Sequence, residues 1–288
     1  MQFEKPPLKT KILILGGSGF IGHHIFMELQ SYFEVYGTYC HSIGDFSDNK
    51  VFYPYCCEED NLLELLETVK PTHIISAIRG DFKAQFTAHK LLCEYVQNNH
   101  FCKLLFLSSA QVFDGKYALP SYENDKPLAE SNFGKFKIAI ERLLLEQIPA
   151  QTTILRLPMV LGIHSPRIIQ LRESIKHQAT FEVYPNLTIS LTTADKIAQQ
   201  IHYIISKKLD GIFHLASTDM IHHEELFREI TTKMGTKTPI FKNVYRSNDD
   251  GYLAILPKKN LLPEQYQITV AEVIADCTLN EEILTFKN

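Results

Sequence analysis

The sequence predicts an α/β protein built on a doubly wound parallel sheet, with a smaller C-terminal lobe. Three observations carry this. Strand and helix signals alternate through the first 160 residues, as a parallel sheet covered on both faces requires. An apolar run, Lys11–Leu15, leads straight into Gly16-Gly17-Ser18-Gly19-Phe20-Ile21-Gly22 and then into a helical pattern. Beyond residue 160 the alternation loosens, which marks a second and less regular part of the chain.

Taken in order, residues 1–10 read as a short tail, and Lys11–Leu15 is a buried strand by its unbroken apolar run. Gly22–Ser31 is the first helix and Glu34–Tyr39 the second strand. A short third strand, Val51–Tyr55, precedes the helix Asn61–Val69, whose start is signalled by the acidic run Glu58-Glu59-Asp60. Pro71 breaks that helix before a fourth strand, His73–Ala77. Gln85–Gln97 is helical, with Phe86, Leu92 and Val96 on one face, and Lys103–Ser108 is the fifth strand. A long helix over Phe133–Gln147 leads to the sixth strand, Thr153–Leu157. Farther on, Asp195–Ser206 and His223–Met234 read as helices and Gly211–Leu215 as a strand. The expected division is a sheet domain over residues 1–162, rejoined by 191–216. The smaller lobe takes 163–190 and 217–288.

Bulk properties narrow the class. The 288 residues are 45% hydrophobic and 22% charged, with net charge −4, so no nucleic-acid or anionic-membrane partner is indicated. No apolar run approaches the ~20 residues of a membrane span, and the first ten residues lack an apolar signal core. Six cysteines without regular spacing fit a reducing cytoplasm better than a disulfide scaffold, so a cytoplasmic protein is expected.

The glycine string carries the chemistry. Glycines that begin where a strand ends and finish where a helix starts let backbone amides approach a pyrophosphate, and the helix N-terminus adds free N–H groups and partial positive charge. Gly16, Ser18, Gly19, Phe20, Ile21 and Gly22 are therefore predicted to hold a dinucleotide, which names the sheet a Rossmann sheet. In NAD-preferring sites an acidic residue at the end of the second strand holds the ribose 2′-hydroxyl. No carboxylate occurs from Val35 to Ser42; His41 and Ser42 either face a 2′-phosphate, the reading that favours NADP over NAD, or are solvated loop residues.

The runs LLFLSSAQVFDGKYALPSYENDKP, FGKFKIAIE and ILRLPMVLG resemble the extended short-chain dehydrogenase/reductase superfamily. Within it the chain is most similar to the dTDP-4-dehydrorhamnose reductase branch, which also includes the regulatory subunit of methionine adenosyltransferase. Val112-Phe113-Asp114-Gly115, then Pro120, Glu123 and Asp125, match that branch, and the likeness runs over about residues 11–216. The resemblance implies that Ser109 hydrogen-bonds a substrate carbonyl and that Lys137 holds the nicotinamide ribose. It places Cys56 at the adenine, Ala77 and Ile78 against the cofactor after the fourth strand, and Pro158 near the nicotinamide. Gly134 and Glu141 complete the frame Y-G-x-x-K-x-x-x-E and fix the register, which puts Phe133 where the family carries its proton-donating tyrosine.

Two readings follow. One is an NAD(P)-dependent oxidoreductase acting on a nucleotide-sugar or similar keto or hydroxy substrate, with Ser109 and Lys137 retained and an atypical donor: Tyr117, Tyr122, His164, or Lys137 through water. The other is a non-catalytic NAD(P)-binding regulatory protein, which Phe133 favours, since phenylalanine has no proton to give. His23-His24, His222-His223 and Cys56-Cys57 are adjacent pairs without metal-ligand spacing, so no metal site is expected. The amphipathic helices at 85–97 and 133–147 provide surfaces for a homodimer.

Overall fold

The computed structural model describes residues 10–40, 46, 49–116, 118–235, 237–245 and 248–285. Strands β1 (Lys11–Leu15), β2 (Glu34–Tyr39), β3 (Phe52–Pro54), β4 (His73–Ser76), β5 (Lys103–Ser109), β6 (Thr152–Leu157) and β11 (Gly211–His214) form one sheet. Their order is β3-β2-β1-β4-β5-β6-β11, that of the predicted doubly wound fold. The pairs β1–β2, β1–β4, β2–β3 and β4–β5 are all parallel. Strand order reverses between β1 and β4, and ligands of such sheets bind at the carboxyl ends around that switch point. Apolar β1 and β4 are almost wholly buried, as strands covered on both faces must be.

The chain separates into two compact units, one of residues 1–107, 140–153 and 201–211, the other of 108–139, 154–200 and 212–288. In the first, helix α1 (Phe20–Leu29) buries Gly22, Ile25, Phe26 and Leu29 along a single stripe. Helix α2 (Leu62–Val69) starts at Asn61, whose side chain accepts the Leu63 N–H, and ends at Lys70 in the left-handed region, one residue before Pro71. The acidic run before it is a turn rather than the helix start. Asp60 accepts the Cys56 N–H and Glu58 the Asp81 N–H, so two of its carboxylates hold loops. Helix α3 (Phe82–Asn98) begins three residues ahead of the predicted start because Asp81 caps it, accepting from Lys83 and Ala84.

Helix α4 (Asn132–Gln147) spans both units. The second unit also holds β7 (Met159–Leu161), α5 (Pro166–Lys176), β8 (Thr180–Val183), β9 (Leu187–Ile189) and β10 (Leu191–Thr193). Helix α6 (Ala194–Ser206) follows and runs into the first unit. Then come β12 (Ile221–His222), α7 (His223–Lys233), β13 (Ile240–Asn243), β14 (Gly251–Leu253) and α8 (Val270–Thr285). The short strands pair as β10–β7, β13–β8 and β12-β9-β14. They pack over a core that includes Ile168, Phe181, Phe227 and Val273.

Cys40 and Cys56 form a disulfide with Cα atoms 4.9 Å apart, which the irregular cysteine spacing did not reveal. The cause is topological: β2 and β3 are parallel neighbours, and residues just past their ends come together although 16 apart in sequence. No described helix is long and apolar enough to cross a membrane.

Candidate functional site

The phosphate-loop residues lie in the first unit. Gly16 follows β1 with φ +82°, and a Cβ there would press to 2.6 Å on the Ala77 carbonyl oxygen. Its N–H is held by the Thr38 hydroxyl at 2.8 Å, and the Ser18 N–H by the Thr38 carbonyl at 3.0 Å. At Gly22 a Cβ would run into the Gly16 carbonyl, so α1 packs tightly under the loop. Gly19 is different. It caps α1 with φ −73° and no side-chain hydrogen bond, and a Cβ there would meet only the Gly16 oxygen, at 3.3 Å. The space before Gly19 is therefore open. The first-turn amides of Phe20, Ile21 and Gly22 face it as a helix N-terminus faces an anion. This geometry fits a dinucleotide pyrophosphate.

Ala77 and Ile78 follow β4 on the other wall of the same loop, with the Ala77 N–H on the Leu15 carbonyl at 2.9 Å. Cys56 follows β3 and is joined to Cys40. His41 and Ser42, expected at the ribose, lie outside the described residues, as does Tyr117.

In the second unit, the 3₁₀ turn Ala110–Phe113 adjoins Ser109 and the helix that carries Lys137. Ser109 ends β5 and caps the turn, its Oγ accepting the Gln111 N–H at 3.2 Å. A hydroxyl that accepts there still has its proton to donate. Helix α4 abuts the same turn: a Cβ at Gly134 would collide with the Gln111 carbonyl and press to 2.7 Å on Ala129 Cβ. Ser131 caps the helix by accepting the Gly134 N–H at 3.0 Å. Asp114 of the V-F-D-G segment braces the approach, Oδ1 accepting from Glu130 and Ser131. Lys137, 8% exposed, lies one helical turn beyond Phe133, with Nζ 5.6 Å from the Phe133 ring centre and 5.9 Å from that of Phe136. Aromatic faces thus flank the ammonium where the family would set a phenol. Phe133 is 36% exposed. Pro158 is buried between β6 and β7. Of the other donor candidates, Tyr122 carries Lys258 Nζ over its ring at 5.0 Å, and His164 is exposed.

Sequence reasoning missed a buried polar network in this unit. Arg156, 1% exposed, donates from Nη1 to the Glu123 carbonyl at 3.3 Å and meets His214 Nε2 at 3.4 Å, with its guanidinium 4.9 Å from the Phe113 ring centre. Because His214 Nδ1 faces the Leu256 carbonyl at 3.2 Å, Nδ1 carries the proton and Nε2 accepts. The Glu123 carboxylate accepts the N–H groups of Lys258 and Lys259. Burial opposes its charge, and those amides outweigh burial and hold its pKa below the ordinary value. The one available signal was an arginine inside the otherwise apolar strand ILRL.

This burial has a pH consequence. His214 is pushed down to about 4 by burial and by Arg156, and buried His223 to about 4 by burial and by Arg167. Below the ordinary value of 6.5 the unfolded chain takes up protons that the folded chain refuses until about pH 4. Stability is therefore expected to fall as pH drops through this window, by about 1–2 kcal/mol per histidine at pH 5. Urea unfolding at pH 7.5 and 5.0 checks it; an equal midpoint at both would contradict the assignment.

A cavity of about 350 Å³ also lies within the second unit, lined by Asp114, Glu130, Tyr184, Asn186 and Tyr252 among others.

Comparison with known proteins agrees with this fold. UDP-glucose 4-epimerase of Thermus thermophilus, solved with NAD, superposes with TM-score 0.81 at 17% identity, over 95% of this chain and 99% of that one. dTDP-4-dehydrorhamnose reductase of Yersinia enterocolitica gives 0.72 at 19%, over 93% and 100%. dTDP-glucose 4,6-dehydratase of Bacillus anthracis, in complex with NAD, gives 0.77 at 15%, over 96% and 98%. At these identities the likeness establishes the fold. A search of curated proteins by sequence found no match. The RmlD substrate binding domain model matches residues 10–252, and the chain belongs to that family.

Proposed function

We propose that this protein is an NAD(P)-dependent oxidoreductase of the extended short-chain type, acting on a nucleotide-sugar or similar keto or hydroxy substrate. The observation that carries the reading is the loop Gly16–Gly22, with Gly19 open to the outside and the α1 amides behind it. Membership of the RmlD family supports the reaction class. When bound, the nicotinamide supplies the hydride chemistry. The chain's own residues bind and orient: the loop and α1 hold the pyrophosphate, Ala77 and Ile78 line the cofactor, and Lys137 holds the nicotinamide ribose. Ser109 donates its free proton to a substrate carbonyl. The lobe formed by 163–190 and 217–288 selects the substrate. The cavity in the second unit supports this, because its tyrosine hydroxyls, amide and carboxylates are hydrogen-bonding groups suited to sugar hydroxyls.

Phe133 keeps a second reading open, a non-catalytic dinucleotide-binding regulatory protein. The test is titration with NADPH and NADH, followed by turnover assays with keto-sugar nucleotides. The reading expects binding of both dinucleotides, NADPH more tightly because no carboxylate ends β2, and measurable turnover. Binding without turnover on any such substrate selects the regulatory reading. Absence of binding overturns both.

A further inference from the structure

We propose that the Cys40–Cys56 pair is a thiol–disulfide switch on the adenosine end of the dinucleotide site, an inference that rests on the function proposed above. One half-cystine sits one residue past β2, where the ribose is expected, and the other two residues past β3, where the adenine is expected. The bond thus joins the two walls of one expected subsite.

The local structure shows what the bond does. Strands β2 and β3 are in register through Tyr39 and Pro54, and the Tyr55 N–H reaches the Tyr39 carbonyl at 2.8 Å. Past that last hydrogen bond the disulfide continues the ladder covalently, holding the Cα atoms of Cys40 and Cys56 4.9 Å apart. That is the ordinary spacing of paired strands. A flat ring seated between two surfaces needs about 7 Å, two carbon contacts of about 3.5 Å each. Strand ends tied in this way cannot open that far. On its other side the segment after β3 is held to the segment after β4. Glu58 accepts the Asp81 N–H at 2.7 Å, and Cys57 Sγ lies 3.8 Å from the Arg79 carbonyl. Cleaving the disulfide releases the β2–β3 side and leaves the β3–β4 side in place.

The thiol inventory suits reversible exchange with an external partner. Cys40 and Cys56 are both half-buried and within reach of a small thiol. Cys93, Cys102 and Cys277 are buried. Cys57, beside Cys56, has its thiol pushed up to about 12 by burial and by its hydrogen bond to Glu58, so it stays protonated and does not attack. The co-reactant is therefore an external dithiol reductant. Its thiolate attacks one sulfur and displaces the other cysteine as a thiolate, which takes up a proton. Its second thiol then resolves the mixed disulfide. Two electrons and two protons pass to the protein, leaving two cysteine thiols and one disulfide in the reductant.

The experiment measures NADPH and NADH affinity of the full chain after diamide oxidation and after reduction with dithiothreitol. Thiols are counted by alkylation and mass spectrometry under denaturing conditions. Six alkylated thiols are expected in the reduced protein and four in the oxidised one. Reduced protein should bind about tenfold more tightly or better, and Cys40→Ala should bind alike under both conditions. Equal affinity in the two states, weaker binding on reduction, or six thiols after diamide would overturn the switch while leaving dinucleotide binding intact. Binding in neither state would instead remove the proposed function, and the switch with it.

Discussion

Phe133→Tyr is expected to raise turnover of a keto-sugar nucleotide by about 100-fold. Reduction of a carbonyl leaves an oxygen that must acquire a proton, and a positioned general acid is typically worth ~10²–10⁴ in rate. On the proposed function, the wild-type chain has the surroundings of such an acid without the acid itself. Lys137 stands 5.6 Å from the centre of the ring that would bear the hydroxyl, close enough for its charge to lower a phenol's pKa. Helix register is fixed independently of that ring, by the Ser131 cap and by Gly134 against the Gln111 carbonyl. Phe133 is partly exposed, so one added oxygen meets no closed core, and the ring face toward Lys137 is kept. Initial rates of wild type and variant on the same substrate decide the matter. A wild-type rate that falls in the variant would show another donor, such as Tyr122 or His164, working against an apolar wall at Phe133. A variant as inactive as the wild type, with cofactor affinity retained, would favour the regulatory reading. Wild-type turnover lost in Ser109→Ala or Lys137→Met would exclude it.

What could be read in the sequence was local, and what could not was long-range. Strand β1 matches its predicted bounds because it is an apolar run closed by glycine, and β2 because Val35, Tyr36, Thr38 and Tyr39 are strand formers. The glycine loop was legible for the same reason, since strand, glycines and helix are contiguous. Strands β7, β9 and β10 escaped notice because three residues carry no periodicity of their own. Their pairings, such as Met159 with Leu191 and Leu187 with Gly251, join segments far apart in the chain. The disulfide was hidden likewise, since only the parallel pairing of β2 with β3 brings Cys40 to Cys56. Asp114 was seen as a motif residue, but its work, accepting the amides that lead into α4, appears only when residues 114 and 130 meet. The Arg156–His214 network draws on four segments and left a single mark in the chain, a charge inside an apolar strand.

Gly19→Val is expected to weaken dinucleotide binding about 100-fold or more while leaving the fold intact. Gly16, Gly19 and Gly22 serve different purposes, and this variant separates them. A side chain at Gly16 would meet the Ala77 carbonyl and force an L-residue into φ +82°, and one at Gly22 would strike the Gly16 carbonyl. Both changes damage the protein itself, so lost binding there would say little about a ligand. Gly19 has φ −73° and ψ 163°, which valine adopts readily, and its Cβ would touch the protein only at the Gly16 oxygen, 3.3 Å away. The branched side chain would fill the space in front of the α1 amides. A pyrophosphate held off those amides loses charge-assisted hydrogen bonds worth roughly 1.5–3 kcal/mol each, so one or two of them account for the expected factor. Titration of NADPH into both proteins measures the loss. Urea unfolding should show a loss of no more than about 2 kcal/mol, because valine is a poorer helix cap than glycine and its Cβ crowds the Gly16 oxygen. Unchanged affinity in a stable variant would mean that no phosphate approaches the first turn of α1, and the oxidoreductase and regulatory readings would fall together.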